Sequence, residues 1–578
     1  MPMRDWLEET HSTGFELCRH FFRRFFDSDL VSTPGHWRLV AGGLIAILLS
    51  SGIFFIPGYF HKYRELNDQN NFYTDVPLRL ACMADVLFLV TLSMVLIGLL
   101  TTMQWPSLFP SLRDYLALAS LPIRTRDLFV AKFSALVAFA VLFVVAFTFP
   151  PSLLLPMMMA GPYAMPLVPQ ILGIFVATSL GALFVFFALI ATQGVLLNIL
   201  PIRQFQRISL AVQAALLTVL LCGSPLVFSI SGLHQSMTMR PDWAVYAPPL
   251  WFLGIHQVIN GNREPLAVQL AWIGLAGAAG AAVAAIGAYL WSYRRHKVRL
   301  LESPSAGLDA GHWVWPAALM ARLVPNPREL AIFTFIGKTL ARSRQHRLVL
   351  SAFAALAVAL IFESFVSLVF ACGFRGFFVQ TPALRQAVIS APLALSLFVL
   401  AGFRYLFRLP VELRANWLFR INEPGNRLIF LGAVERFLIL CAVVPVALLT
   451  LPLEMALLGP GVGFAAAILC VLPSLTLMEV LLLQFDKIPF TSSYLPGRRP
   501  VVQTLLLYGI AVVLYVTALS AIVAACLKSP TATLVLFAMM VGAWVRARRA
   551  RLDARTIGKL EFEEVPEPAV HTLSIERD

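Results

Sequence analysis

Charge is scarce in this chain. Of its 578 residues only 13% are Asp, Glu, Lys or Arg, against 59% hydrophobic. A soluble protein of this length cannot hide that much apolar surface. A Walker A loop, G-x-x-x-x-G-K-S/T, is missing as well. The nearest phrase, Gly337-Lys338-Thr339, has Ile332 where the first glycine belongs, which excludes nucleotide binding by that device. HExxH, GxSxG and Asp-rich metal clusters are lacking too, and with them the commonest hydrolytic and metal chemistries. The ten histidines are scattered in loops and termini. The seven cysteines are odd in number and lack C-x-x-C spacing. Cys82, Cys222, Cys441, Cys470 and Cys526 fall in apolar runs and read as small apolar side chains, not a disulfide framework. No catalytic residue, metal site or cofactor is expected in this chain, and it does not read as an enzyme. No cleavable signal peptide is expected, because the first apolar run starts near Arg38 and is too long for one.

Long apolar runs are what the chain has in abundance. Each is about 20 residues, enough to cross a ~30 Å hydrocarbon core as a helix with all backbone bonds internal. Twelve are expected: near 38–58, 81–104, 130–150, 167–191, 208–230 and 266–292, then 348–371, 386–407, 428–451, 460–484, 501–526 and 530–547. The expected fold class is all-α, a polytopic helical membrane protein. Net charge is +14, and about 36 of the 45 Lys and Arg fall in the termini and even-numbered connections. That bias places both termini in the cytoplasm. The basic excess then reports topology and contact with anionic membrane lipid; no nucleic-acid partner is expected, since no binding motif accompanies it.

Amphipathic stretches precede both sets of runs. In Phe15–Phe26, the residues Phe15, Cys18, Phe21, Phe22, Phe25 and Phe26 share one helical arc, while Glu16, Arg19, His20, Arg23 and Arg24 share the other. The pattern predicts a helix in the membrane interface, with Phe22, Phe25 and Phe26 toward the acyl chains and Arg23 toward headgroups. A second stretch opens at Glu329-Leu330, where Lys338 and Arg342 oppose Ile332, Phe335, Ile336 and Leu340. His36-Trp37-Arg38-Leu39-Val40 leads into the first run, and Gln345-His346-Arg347-Leu348-Val349 into the seventh. The chain thus reads as two six-span halves, parallel repeats about an axis along the membrane normal. The expected organisation is a cytoplasmic N-terminus with its amphipathic helix (1–36), a first permease half (37–292), and a cytoplasmic linker with the second amphipathic helix (293–347). A second half (348–547) and a charged cytoplasmic tail (548–578) follow.

Four carboxylates fall within expected spans: Asp85, Glu363, Glu435 and Glu479. A carboxylate costs roughly 2.5–3.5 kcal/mol at the centre of an inserted helix, so each needs a reason. Asp85 and Glu435 lie near span starts, within reach of water. Glu363 and Glu479 are candidates for the polar lining of a translocation path, or else for interhelical hydrogen bonds. The longest external connection, 231–265, carries Pro248, Pro249, Trp251 and Phe252. It reads either as a helix dipping into the membrane or as an interfacial aromatic anchor.

The chain is organised around Leu118–Lys132, LASLPIRTRDLFVAK. Between the second and third spans this stretch breaks at Pro122 and restarts with Arg124, Arg126, Asp127 and Lys132. It reads as a cytoplasmic docking surface for a soluble partner, or as a topology-setting loop with a helix cap. The order of features is an amphipathic helix, six spans, a Leu-Pro-basic inner loop, a second inner loop and a long external connection. That order resembles the membrane subunit of ABC-2-type exporters, the class that includes the ABCG-like transporters. The resemblance implies a coupling surface resting on a separate ABC ATPase subunit. Arg113, Asp114, Pro122, Arg124, Arg126, Asp127 and Lys132 would form its first part, and Arg203 and Arg207 its second. In the other half the matching segment is LPVELRANWLFRINEPGNR, with Glu412 and Arg414; it departs from the pattern in having no Leu-Pro-basic phrase. The resemblance further implies a pseudo-dimer within one chain, needing no homodimer, in a bacterial inner membrane. The function expected is an export permease driven by the separate ATPase. Two alternatives stand beside it: an ion-coupled secondary transporter of twelve-span architecture, and a non-transporting membrane scaffold. The secondary transporter would carry glycine in the loop SLFPSLRDYLALASLPIRTRD, which has none.

Overall fold

A computed structural model of the chain describes residues 13–25, 58, 60–64, 76–110, 125–158, 166–228, 245–302, 322–376, 381–409, 427–483, 485, 488–491 and 509–556. Every regular element among them is helical. Ten helices among the described residues are long and apolar enough to cross a membrane, and they fall on ten of the expected runs. Of the other two runs, 38–58 lies outside the described residues except for Gly58, and 208–230 contains a shorter apolar stretch, Ile208–Gly223. Trp272, Val283, Leu448, Leu449, Leu534 and Met539 are largely exposed on these helices. Water does not tolerate so many large apolar side chains on outward faces, whereas lipid does. The chain is read accordingly as an integral membrane protein.

Two compact units divide the chain, Met1–Ala306 and Gly307–Asp578. The first holds α1 (Thr13–Arg24), α2 (Val76–Met103), α3 (Thr125–Met158), α4 (Leu167–Ile199), α5 (Ile202–Phe228), α6 (Pro248–Ile259) and α7 (Pro265–Glu302). α4 is its centre, packing on α2, α3, α6 and α7, while α1 lies on α3 and α5 lies on α2. Small residues let these helices approach closely. A methyl group added at Gly194 of α4 would lie 2.6 Å from Ala288 Cβ of α7. α6 is joined to α7 by a tight turn with Gly261 at φ +85°, a conformation that glycine adopts without strain.

The second unit holds α8 (Pro327–Arg342), α9 (Arg344–Gly376), α10 (Pro382–Leu406), α11 (Arg427–Leu438), α12 (Val444–Leu458), α13 (Pro460–Leu481), α14 (Leu519–Cys526) and α15 (Pro530–Thr556). Proline opens several helices at the position where its missing N–H costs nothing, as at Pro327, Pro382, Pro460 and Pro530. Asn326 and Thr381 cap two of them, accepting from the N–H of Arg328 and of Leu384, each at 3.1 Å. A π-helical stretch, Ile439–Val443, joins α11 to α12, and a second, Val512–Ala518, leads into α14. α10 packs on α9, α12, α13 and α14; α13 packs on α12 and α15; α8 lies on α11.

The pairings inside the two units run in the same order. The amphipathic helix lies on the helix of the third expected span after it, α1 on α3 and α8 on α11. α2 meets α3, α4 and α5 as α10 meets α12, α13 and α14, and α4 meets α7 as α13 meets α15. The connections differ: α6 stands before α7, whereas only Leu527–Ser529 separates α14 from α15. One boundary differs from the expectation with consequences. The ninth span continues past 451, through Pro452, to Leu458. Proline is tolerated inside a packed apolar helix because neighbouring groups take up the freed carbonyl. The extension brings Glu454 into the span.

Candidate functional site

The chain leading out of α2 is held by side chains from three other helices and by a backbone contact just past a fourth. Gln213 of α5 donates to the Thr102 carbonyl at 2.7 Å. The Trp105 indole donates to Ser209 Oγ of α5 at 2.8 Å, and Gln193 of α4 donates to the Trp105 carbonyl at 2.7 Å. The Tyr289 hydroxyl of α7 donates to the Leu108 carbonyl at 2.9 Å. Gln104 in turn donates to the Phe25 carbonyl, just past α1, at 3.2 Å. A helix end leaves its last carbonyls without partners, and here three of those along Thr102–Leu108 are taken by distant elements. Trp105 is wholly buried among them.

This anchored end leads directly toward the expected docking segment. Arg113, Asp114, Pro122 and Arg124 lie outside the described residues, as do Glu412, Arg414 and Phe26. Arg126 and Asp127 are exposed in the first turn of α3, where an acidic side chain complements the helix dipole. Arg203 and Arg207 lie in the first turns of α5. Lys132 is placed differently. It is 2% exposed, with its ammonium 4.6 Å from the Phe21 ring centroid and 5.1 Å from that of Phe25. It therefore lies beneath α1 and not on an open docking face, and ring faces attract a cation at such distances.

That geometry also revises the expected surroundings of α1. Leu17, Phe21 and Phe25 are buried, and Phe25 stacks at a tilt on Phe139 of α3, centroids 5.1 Å apart. Phe22 is partly buried against the same cluster, and Arg23 is half-buried. Much of the apolar arc expected to face acyl chains thus meets α3, because a helix lying along another buries its apolar face there first. Phe15 remains half-exposed. The second unit shows a related arrangement. Arg436 of α11 pairs with Glu329 of α8 at 2.7 Å, and Phe333 meets Phe437 edge-on. A basic side chain thus lies under the amphipathic helix in each unit, paired with rings in one and with a carboxylate in the other.

At the end of α10, Phe407 is packed against Phe485 and Phe490, and its carbonyl accepts from the Phe490 N–H at 3.2 Å. Phe490 holds φ +67°, a left-handed conformation costly for any residue but glycine. It is retained while the ring is 1% exposed and meets His346 edge-on.

The carboxylates expected within spans divide by their partners. Asp85 accepts from Lys62 at 2.7 and 2.8 Å and from the Tyr63 hydroxyl at 2.5 Å. Glu479 of α13 and Glu435 of α11 share Arg551 of α15, with Arg548 4.0 Å from Glu435. Arg551 is fully buried. The cluster ties three helices together, the role of an interhelical bond left open for Glu479. Glu363 is half-buried on α9, a helix with little of its surface covered.

Glu454 is not among the sequence candidates because the expected ninth span ends at 451. It is fully buried on α12, and among the described residues neither carboxyl oxygen has a hydrogen-bond partner. It lines a small cavity with Thr450, Cys470, Ser474, Val443 and Pro392. Beyond Ser474, the hydroxyl of the half-buried Tyr515 lies 3.1 Å from Ser396 Oγ. Val443 and Tyr515 belong to the two π-helical stretches, a distortion concentrated at functional sites.

In the first unit, α6 carries a second unsatisfied group. His256 is 4% exposed, and among the described residues neither ring nitrogen has a hydrogen-bond partner, nor does Asn260 Oδ1. Burial pushes the imidazole down to about 4, so it is neutral near pH 7. Among the described residues, no group of three or more His, Cys, Asp or Glu is placed to hold a metal ion. No protein-family model matches this chain, and no curated protein or solved structure matches it either.

Proposed function

We propose that this chain is the permease of an ABC-2-type exporter, forming the translocation path and driven by a separate ATPase subunit. The observation that carries the reading is the anchoring of Thr102–Leu108 by α4, α5, α7 and the chain just past α1. A load applied to the segment that follows would be passed to three helices and the end of α1 at once, as coupling requires. The parallel pairings in the two units support two copies of one architecture, and hence alternating access by rocking of one half against the other. On this reading both termini are cytoplasmic, and α6 belongs to an external gate. Arg113, Asp114, Arg124, Arg126 and Asp127 would contact the ATPase, whereas Lys132 would hold α1 in place.

The test is purification of the detergent-solubilised chain from its native membrane with its partners. A Walker A ATPase is expected to co-purify, and reversal of charge at Asp114 and Arg124 together to abolish coupled transport while leaving insertion intact. A complex that still couples normally with both reversed would show that docking lies elsewhere. A second reading, ion-coupled transport, draws support from one observation. Of the three buried carboxylates among the described residues, Asp85 and Glu479 are ion-paired and Glu454 is not. Transport that follows a proton gradient in vesicles lacking any ATPase would favour that reading.

A further inference from the structure

We propose that Glu454 is a proton-binding site within the helix bundle of the second unit, exchanging its proton through the cavity it shares with Thr450, Cys470 and Ser474. An isolated ionised carboxylate removed from water costs far more than the net stability of a domain. Glu454 is fully buried by protein, and among the described residues no cation lines its cavity. Its resident form is therefore the neutral acid.

A site that exchanges a proton must also tolerate the ionised form for a time. The cavity is equipped for this. Thr450 Oγ1 now donates to the Val446 carbonyl at 3.1 Å, and Ser474 Oγ to the Cys470 carbonyl at 2.8 Å. Both hydroxyls are free rotors, and turning them toward the carboxylate gives it two donors. The space is about that of a single water molecule, enough to relay a proton between carboxyl and hydroxyl. Ser474, Tyr515 and Ser396 extend the polar path away from the cavity. Both π-helical stretches found among the described residues border this region.

The groups that face Glu454 are few. α13 presents Cys470 and Ser474, and α10 presents Pro392 to the cavity. Tyr515 is the next titratable group beyond. Arg385 and Arg404 lie near opposite ends of α10, with Arg404 over the Phe485 ring, and Glu479 is held by Arg551. When Glu454 releases its proton, the O–H bond breaks toward the relaying water, and the charge stays on the carboxylate until a proton returns.

Infrared difference spectroscopy on the full chain in lipid nanodiscs tests this, with pH steps repeated in D2O. The wild type is expected to show a protonated-carboxyl C=O band that vanishes as pH rises and shifts in D2O. Glu454→Gln, which matches the neutral acid in shape, is expected to lose that band. Glu454→Asp should keep it at a displaced frequency, so it decides the matter if the Gln variant fails to fold. A band that persists at every pH, that is missing from the wild type, or that survives unchanged in the variants would overturn the proposal. No ATPase enters the measurement, so its outcome is independent of the permease reading.

Discussion

Two buried groups carry opposite lessons about charge in this chain. Arg551 enters a protein interior because two carboxylates meet it there. His256 enters a different interior with no partner among the described residues for either nitrogen, and so stays neutral. The consequence for His256 is a pH dependence of definite sign. Its ordinary value is 6.5 and its folded value about 4. Above the ordinary value neither state binds a proton, and the native state bears no penalty. As pH falls between the two, the unfolded chain takes up a proton that the folded one refuses, and stability drops by roughly 3 kcal/mol in all. The thermal midpoint of the wild type in detergent should fall across that window. His256→Leu should flatten the fall; an equally steep fall in the variant would assign the acid sensitivity to other groups.

Close helix approach depends on glycine at a few contacts only. At the hairpin of α12 and α13, a methyl group at Gly463 would lie 2.6 Å from the Glu454 carbonyl oxygen and 2.7 Å from Met455 N. Backbone cannot swing aside as a side chain does, so Gly463→Ala must part the two helices. Overpacking of this kind typically costs about 1–3 kcal/mol. Gly461, one half-turn earlier, has no neighbour in reach, and Gly461→Ala should be neutral or slightly stabilising through helix propensity. Paired thermal melts of the two variants check this; equal midpoints would mean that the hairpin relaxes more easily than its backbone contact implies. Because Gly463 abuts the backbone of Glu454, the first variant should also disturb the infrared band assigned to that carboxyl.

Each unit carries hydrophobic clusters of its own. In the first, Phe21, Trp105, Phe143, Phe186 and Tyr289 belong to one cluster; in the second, Val388, Leu469, Cys470 and Val523 belong to another. A unit with its own core folds by itself when its outward faces meet lipid or detergent. Residues 1–306 and 307–578, expressed separately, are each expected to insert and to give a monodisperse species with a cooperative melt. A half that inserts but stays aggregated or shows no transition would mean that its core is completed from outside.

Much of the architecture was legible in the sequence because the signals are local. An apolar run of span length must be a helix in lipid, and ten of the expected runs are helices of that length. The chain starts two of its helices with proline in the first turn, behind Asn326 and Thr381 as caps. The arc of α1 was equally plain, since a 3.6-residue period is written in twelve consecutive residues. Where that arc goes was not: α3 covers Phe21 and Phe25, and no local pattern names the partner. Glu454 was hidden because the expected span stops at 451, whereas the helix runs on through Pro452 to Leu458. The anchors on Thr102–Leu108 and the Arg551 cluster join residues such as Trp105 and Ser209, 104 apart, and Glu435 and Arg551, 116 apart. Hydrophobicity and chain punctuation are properties of neighbours in sequence, so the sequence alone determined which segments are helices and which faces are apolar. Which buried charge finds a partner depends on residues brought together only when the helices pack, and that the tertiary structure decided.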